Sequence, residues 1–261
     1  MKIYEFGKEN EKTMLMFQCA AEPWWVFEKS AKEMARDFHV FLSIADGHDE
    51  MGTEFVSVEK YIDDTVSMLK KKDVESIDLL YGVSLGGACV IRLLAIRAIP
   101  VRKAIIDAGI TPYGYPKIVC MMIALKDLIT VGIACKSMTV MKLACPPRRW
   151  TPEGEDPDEH YERIFDFEKN NYSLRTIYNT FWSANNYSMP DPVPDPNIPI
   201  EYWYGEEEKL ARAGNRRYVR KIFSSAKERE FKGMAHAELV LMKPEHFHRE
   251  VMKFFETTNE I

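Results

Sequence analysis

Between residues 76 and 87 the chain reads Ser76-Ile-Asp-Leu-Leu-Tyr-Gly-Val-Ser84-Leu-Gly-Gly87. The apolar run Ile77 to Val83 indicates a buried strand, and it leads directly into the pattern Gly82-x-Ser84-x-Gly86. A serine between a strand and a helix in this pattern is typical of a tight turn that exposes the serine hydroxyl. The glycines lack a Cβ, so strand and helix can pass close to the serine. Ser84 is therefore a candidate nucleophile; the alternative is a glycine-rich turn that only packs. A helical face follows at once, formed by Ala88, Val90, Ile91, Leu94 and Ala95.

Composition and charge exclude several classes of function. The 261 residues are enough for one α/β domain with an inserted segment. A net charge of −5 and the lack of a basic stripe with interleaved aromatic residues argue against a nucleic-acid partner. The N-terminal residues Met1 to Phe6 show no apolar region of the kind found in secretory signals, so we expect a cytoplasmic protein.

The cysteines predict neither a disulfide framework nor a metal site. Their number is odd, and no C-x-x-C pair or zinc-like Cys/His spacing occurs, so we interpret them as small core residues. No metal ion or organic cofactor is expected. The longest apolar stretch, Ile118 to Cys145, contains several charged residues and is not expected to cross a bilayer. The five cysteines are Cys19, Cys89, Cys120, Cys135 and Cys145.

Apolar runs alternate with helical patterns in the first part of the chain. Strands are predicted at the N-terminus and over 14–19, 38–45, 77–83 and 102–108, with helices over 25–37, 61–69 and after Ser84. Continuously apolar strands that alternate with helices indicate a parallel sheet covered on both faces. The predicted fold class is therefore α/β, with a mostly parallel, doubly wound sheet.

The pattern changes between residues 110 and 196. This segment, which we call the cap, has Met-rich helical stretches, a proline- and acid-rich turn at 151–158 and helix-like sequence over 159–182. A proline-dense stretch, 189–199, suits neither a helix nor a central strand. Alternation then resumes, with strands over 200–204 and 228–231 and helices over 209–226 and 244–255. We predict a helical cap, 110–196, inserted into a core made of 1–109 and 197–261. Nine apolar residues of the cap are candidates to line an apolar pocket, with plain core packing as the alternative. They are Met121, Met122, Met138, Met141, Trp150, Phe165, Phe167, Phe181 and Trp182.

Two later segments carry groups that could activate a serine. A serine needs an adjacent base, which a third group orients. His236 follows one predicted strand, and three consecutive glutamates, Glu206, Glu207 and Glu208, follow another. Both segments lie at carboxyl ends of strands, where open parallel sheets build their sites. Asp107, which ends its own strand, is a further candidate acid; the glutamate run could also be a solvated helix N-terminus.

These motifs together resemble the α/β-hydrolase superfamily, in its capped esterase, lipase and lactonase branch, over nearly the whole chain. The resemblance rests on Gly82–Gly87, on 198–208 and on Gly233-Met-Ala-His236. It implies a triad of Ser84, His236 and an acid three residues after Gly205, which selects Glu208, although the family more often has aspartate there. It also implies that two backbone N–H groups bind the oxyanion, those of Leu85 and Ala20, with Ala21 as the alternative to Ala20.

The chain departs from the family pattern after its second predicted strand. The family usually has His-Gly at this point, whereas this chain has Gln18-Cys19-Ala20-Ala21. Because a backbone N–H group survives any change of side chain, the oxyanion hole can still form.

The resulting hypothesis is a serine hydrolase that cleaves an ester or related acyl bond of a small to medium, largely apolar substrate. Acyl transfer, or cleavage of a lactone, thioester, amide or carbon–carbon bond, are alternatives on the same triad. A non-catalytic relative that binds a ligand under its cap is an alternative from another class. A contact with a membrane surface is a further alternative, and it rests on apolar cap helices edged by Lys126, Lys136, Lys142, Arg148 and Arg149.

Overall fold

The structure is a computed structural model, and it describes residues 1–112 and 114–257. Within these ranges the chain forms seven strands and eleven α-helices. Two short 3-10 helices, Trp24–Val26 and Glu206–Glu208, complete the regular structure of the described residues. The strands are β1 (Lys2–Phe6), β2 (Thr13–Phe17), β3 (His39–Ile44), β4 (Ile77–Val83), β5 (Val101–Asp107), β6 (Ile200–Gly205) and β7 (Ala226–Phe231). The helices are α1 (Glu28–Met34), α2 (Val58–Lys70), α3 (Leu85–Ile96), α4 (Lys117–Ala134), α5 (Met138–Ala144), α6 (Pro147–Trp150), α7 (Pro157–Asn171), α8 (Leu174–Ala184), α9 (Ala213–Ile222), α10 (Glu238–Met242) and α11 (Pro244–Glu256).

The seven strands form one sheet in the order β1-β3-β2-β4-β5-β6-β7. Strand β1 pairs with β3 in the antiparallel direction, and every other pair of neighbours is parallel. The expected α/β class with a mostly parallel sheet is therefore confirmed. Because strands β2 and β4 to β7 run in one direction, their carboxyl ends meet at one edge of the sheet.

Two hydrophobic clusters cover the two faces of the sheet. Along β4, Leu80 packs into the cluster that includes helices α2 and α3, whereas Leu79 and Tyr81 pack into the cluster that includes α1 and α11. This alternation follows from the two-residue period of a strand. Burial on both faces explains why the central strands are continuously apolar in sequence.

Five helices, α4 to α8, lie between β5 and β6, in the segment predicted as the cap. The helix-like sequence over 159–182 is divided between α7 and α8. The break arises because the Ser173 hydroxyl accepts a hydrogen bond from the Thr176 N–H at 3.0 Å, which caps the start of α8. The proline-dense stretch that follows returns the chain to β6 without a helix or strand.

None of the described helices alone is long and apolar enough to span a membrane, although α4 and α5 together meet these requirements across a bend of 114°. Four of the five cysteines are buried, as expected for core residues, but Cys145 is exposed.

Close backbone contacts hold the turn between β4 and α3. A Cβ placed on Gly82 would lie 2.3 Å from the carbonyl oxygen of Gly86. A Cβ on Gly86 would lie 2.3 Å from the carbonyl oxygen of Phe17 and 2.6 Å from that of Gln18. Since backbone atoms cannot move aside as a flexible side chain can, the start of α3 reaches the end of β2 only with glycine at these positions.

We predict that Gly86→Ala lowers the free energy of unfolding by about 3 kcal/mol or more, because the added methyl group overlaps backbone atoms of β2. The measurement is urea denaturation followed by circular dichroism. Gly214→Ala in α9 is the control, since a Cβ there meets no atom within 4 Å. It should leave stability unchanged or raise it by about 0.5 kcal/mol. Equal stability of the two variants would contradict this account of the turn.

Candidate active site

Ser84 occupies a strained turn between β4 and α3. Its backbone has φ +57° and ψ −109°, a left-handed φ that costs a residue with a side chain about 1–3 kcal/mol. Three hydrogen bonds hold this conformation: the Ser84 N–H donates to the Asp107 carbonyl at 2.9 Å, and the Ser84 carbonyl accepts from Ala88 and Ile110 at 3.2 and 3.3 Å. The residue is 8% exposed. The turn thus fixes a serine at the carboxyl end of a central strand.

His236 and Glu208 form a hydrogen-bonded pair at the same edge of the sheet. Nδ1 of His236 lies 2.7 Å from Oε2 of Glu208. The loops that carry them are joined through backbone atoms, because the Glu207 N–H donates to the Met234 carbonyl at 3.2 Å. A Cβ on Gly205 would lie 2.3 Å from the same carbonyl oxygen, so only glycine permits this approach. The pair is therefore positioned by loop packing as well as by its own hydrogen bond.

Arg212 also binds the Glu208 carboxylate, a contact that the sequence reasoning missed. Its Nε donates to Oε2 of Glu208 at 2.9 Å, and its Nη2 lies 3.5 Å from Nδ1 of His236. The only sequence indication was its position four residues after Glu208, the spacing of ion pairs along a helix. The guanidinium group fixes the carboxylate beside the imidazole.

The charge state of Glu208 follows from these partners. Burial alone would raise the pKa of Glu208, but the hydrogen bond and charge of His236 and the charge of Arg212 lower it to about 2. Since an ionised carboxylate only accepts hydrogen bonds, Nδ1 of His236 carries the proton. In the neutral ring, Nε2 then keeps its lone pair and can act as a base.

The other candidate acids have different partners. Glu206 accepts hydrogen bonds from the Gly233 N–H at 2.9 Å and from Lys232 at 3.3 Å. Glu207 pairs with Arg149, and Asp107 accepts from the Tyr81 hydroxyl at 2.7 Å. Burial raises the pKa of Asp107 to about 7. Of the four acids considered from the sequence, the structure brings Glu208 to the histidine.

Ser84 and His236 line the same cavity, of about 490 Å³, between the sheet and the cap. No hydrogen bond joins the Ser84 hydroxyl to His236 among the contacts of the described residues. Catalytic hydrogen bonds are often long before a substrate binds, so this separation does not oppose a shared role. Of the cap residues considered for a pocket, Met141, Trp150 and Phe181 line the cavity, and the other six do not.

The loop after β2 borders the same cavity. Ala20 and Ala21 line it, and Ala21 has φ +64°. Leu85 is the first residue of α3, so its N–H has no acceptor within the helix. The contact of Gly86 with Phe17 places the start of α3 against this loop. Both alternatives for the second oxyanion donor thus line the cavity that contains the serine.

Arg149 of α6 ties the cap to the histidine loop. Its Nη2 donates to Oε2 of Glu238 at 2.6 Å and to the Gly233 carbonyl at 3.0 Å, and its Nη1 donates to Glu207 at 2.8 Å. The same Glu238 oxygen accepts from the Ala235 N–H at 2.8 Å. Arg149, considered from the sequence only as part of a basic edge, therefore holds both sides of the loop that carries His236.

We predict a pH-dependent stability difference between the wild-type chain and Glu208→Gln. Because the pKa of Glu208 is about 2 in the folded state, against 4.5 ordinarily, its ionised form stabilises the fold by roughly 3 kcal/mol. This contribution is fully present above about pH 5 and is lost as the pH falls towards 2. Urea denaturation at several pH values tests it, with the exposed Glu75→Gln as control. A difference that stays constant with pH would contradict the assigned charge state.

Comparisons with known proteins support the fold. No protein-family model and no curated protein sequence matches the chain. An α/β-hydrolase family protein from Desulfitobacterium hafniense is similar with a TM-score of 0.75 and 16% identity, over 98% of this chain and 100% of that one. An enol-lactonase from Burkholderia xenovorans has a TM-score of 0.69 and 15% identity, over 97% and 95% of the two chains. An esterase from Thermogutta terrifontis has a TM-score of 0.69 and 13% identity, over 97% and 92%. This protein therefore has the fold of the α/β-hydrolase superfamily.

Proposed function

We propose that this protein is a serine hydrolase that cleaves an ester or closely related acyl bond. The observation that carries the proposal is the hydrogen-bonded pair of His236 and Glu208, which reaches the same cavity as Ser84. A nucleophile, a base and an acid that orients the base are the groups that acyl transfer through a serine requires.

The reaction begins when the Ser84 hydroxyl attacks the substrate carbonyl and Nε2 of His236 takes its proton. Glu208 stabilises the imidazolium that forms, and the N–H groups of Leu85 and Ala20 receive the oxyanion. The tetrahedral intermediate then collapses, and His236 gives its proton to the leaving group. Water, deprotonated by the same imidazole, attacks the acyl-enzyme and restores the free serine.

The cavity indicates the size and polarity of the substrate. A volume of about 490 Å³ suits a small to medium molecule. Most of the side chains that line the cavity are apolar, which favours a largely apolar acyl or alcohol group. The main apolar lining residues are Val26, Val131, Met141, Trp150, Ile164, Phe181, Leu241 and Met242.

One neighbouring fold belongs to an epoxide hydrolase and another to an enol-lactonase. Epoxide hydrolases of this superfamily carry aspartate where this chain has Ser84, which disfavours epoxide opening here. A lactone is a cyclic ester, so lactone hydrolysis stays within the proposed chemistry. Acyl transfer to an alcohol uses the same triad, and an added alcohol would reveal it as an acceptor-dependent product.

We expect the wild-type protein to hydrolyse p-nitrophenyl butyrate and to be labelled by a fluorophosphonate probe. Ser84→Ala should lose labelling and lower kcat by about 10⁴-fold or more, because the nucleophile is removed. Ser76→Ala, at the other end of β4, is the matched control and should retain both properties, since Ser76 is exposed. Undiminished hydrolysis by Ser84→Ala would refute the assignment.

Glu208→Gln tests the acid separately. Glutamine keeps the shape of the side chain but can donate to Nδ1, which favours the wrong tautomer of His236. The expected loss in kcat is about 10³-fold or more, with KM nearly unchanged. Glu75→Gln should change kcat by less than about twofold, as a surface substitution far from the site. Steady-state kinetics on the same ester provide the measurement, and equal kcat values for the two variants would exclude Glu208 as the acid.

A further inference from the structure

Helix α4 of the cap exposes a stripe of apolar side chains. Five aliphatic or Met residues recur at intervals of three or four positions along this helix, so they share one face. Each of them is between 41% and 64% exposed. Cys120 and Ala124 are buried on the inner side of the helix, which packs mainly against α8. We call the exposed set the α4 stripe, and it consists of Ile118, Met122, Leu125, Ile129 and Ile133.

The exposed apolar surface of the molecule is concentrated on this one helix. Thirteen large apolar side chains are exposed among residues 1–112 and 114–257, and seven of them belong to α4. Leu174, the first residue of α8, is also exposed and extends the surface, because its Cδ2 lies 3.4 Å from a Cβ placed on Gly132 of α4. Exposed apolar residues that are scattered singly are ordinary, whereas a contiguous patch indicates a binding surface.

Basic residues accompany the α4 stripe. Segment 114–150 contains six basic residues and one acidic residue, Asp127, in a chain whose net charge is −5. Two of the basic side chains, Lys142 and Arg149, pair with carboxylates of other elements. Asp127 pairs with Lys126 at 2.7 Å, so positive charge remains in excess in this segment. The four basic residues that are exposed are Lys117, Lys126, Lys136 and Arg148.

We propose that the α4 stripe and the four exposed basic residues form a docking surface for an anionic phospholipid bilayer. The affinity of a helix that lies on a membrane increases with the apolar area it buries and with its attraction to anionic lipids. The aliphatic side chains of the stripe leave water on docking, and the basic side chains bring positive charge to the lipid phosphates. This surface goes beyond the proposed hydrolysis and does not use Ser84.

Other occupants fit this surface less well. Two copies of the chain that met through their α4 stripes would bring like charges together, which opposes association. A specific protein partner is usually held by aromatic or arginine anchors, whereas the stripe contains only Ile, Leu and Met. These side chains also offer no hydrogen-bonding group that could select a partner. A bilayer requires no fixed polar contact, so its chemistry matches an aliphatic stripe accompanied by flexible basic side chains.

The experiment measures co-sedimentation of the full chain with vesicles and needs no catalysis. One set of vesicles contains phosphatidylcholine with about 30% phosphatidylserine, and the other set contains phosphatidylcholine alone. We expect the wild-type protein to bind the anionic vesicles at least about tenfold more tightly than the neutral ones at about 0.1 M salt. An increase to about 0.5 M salt should weaken this binding at least about threefold, because salt screens the charges.

Two substitutions test the apolar part of the surface. Met122→Gln and Ile129→Gln should each lower the affinity for anionic vesicles at least about fivefold, because each removes an apolar side chain from the contact. Met51→Gln is the matched control. Met51 is 68% exposed, against 64% for Met122, but it lies in the loop after β3. This control should bind the vesicles as the wild-type protein does.

A further pair of substitutions tests the charge. Lys126→Gln should lower the affinity for anionic vesicles about fivefold, the usual effect of one lysine at an anionic membrane. Lys8→Gln is its matched control, because the side chains of Lys8 and Lys126 are 69% and 67% exposed and each pairs with a nearby carboxylate. Lys8 lies between β1 and β2, away from the cap, so Lys8→Gln should retain the binding.

Failure of the wild-type protein to bind anionic vesicles, or equal affinity for both kinds of vesicle, would overturn the proposal. Binding that survives both Met122→Gln and Ile129→Gln would also overturn it. So would a dimer in sedimentation equilibrium that Ile129→Gln dissociates, in the absence of vesicle binding, since a second copy would then cover the stripe. The substituted side chains are exposed, and melting curves check that the variants are folded.

The docking surface and the hydrolase proposal can fail separately. Ser84→Ala should bind anionic vesicles as the wild-type protein does, because the surface does not involve the nucleophile. Vesicle binding without ester turnover or fluorophosphonate labelling would refute the hydrolase proposal alone. Turnover and labelling of Ser84 without vesicle binding would refute the docking surface alone.

Discussion

The backbone of the turn after β4 touches the backbone at the end of β2, and two glycines make this contact possible. A Cβ on Gly86 would overlap the carbonyl oxygens of Phe17 and Gln18. This steric constraint fixes the distance between the serine turn and the loop that contains Ala20. On the opposite side of β4, the carbonyl of Asp107 at the end of β5 accepts a hydrogen bond from the Ser84 N–H. Three adjacent strands, β2, β4 and β5, thus fix the position of the serine turn relative to the loop that contains Ala20.

Burial acts on all the carboxyl groups of the site, but a cationic neighbour decides the direction in which each pKa moves. Glu208 is 8% exposed, yet its pKa falls to about 2 because His236 and Arg212 favour the ionised form. Asp107, Glu22 and Glu168 have no comparable partner, and burial raises the pKa of each. Glu208 therefore stays ionised beside His236 at neutral pH. Asp107, Glu22 and Glu168 instead change charge near neutral pH.

The strands and the serine turn could be predicted from the sequence because their causes are local. A continuous apolar run specifies a strand buried on both faces, and the glycines beside Ser84 specify a close turn. The choice of Glu208 among three adjacent glutamates came from the family pattern, since nothing in the residues themselves separates them. The structure separates them through their partners.

What the sequence reasoning missed lies in contacts between distant segments. Little in the sequence distinguishes Arg212 and Arg149 from other basic residues. The fold places Arg212 against Glu208 and Arg149 against Glu238. Glu22 and Glu168 line one cavity but lie in segments far apart in the sequence, so no spacing along the chain relates them. The boundary between α7 and α8 was missed for a different reason, because one serine hydroxyl caps the start of α8 inside an apparently continuous helical pattern.

The guanidinium group of Arg149 has a mechanical consequence. It joins α6 to Glu207, to Glu238 and to the peptide at Gly233, all of which border the histidine loop. Any displacement that lifts α6 away from the core must break these hydrogen bonds, and the loop then loses part of its support. The position of α6 and the support of the loop that carries His236 are therefore coupled through one side chain.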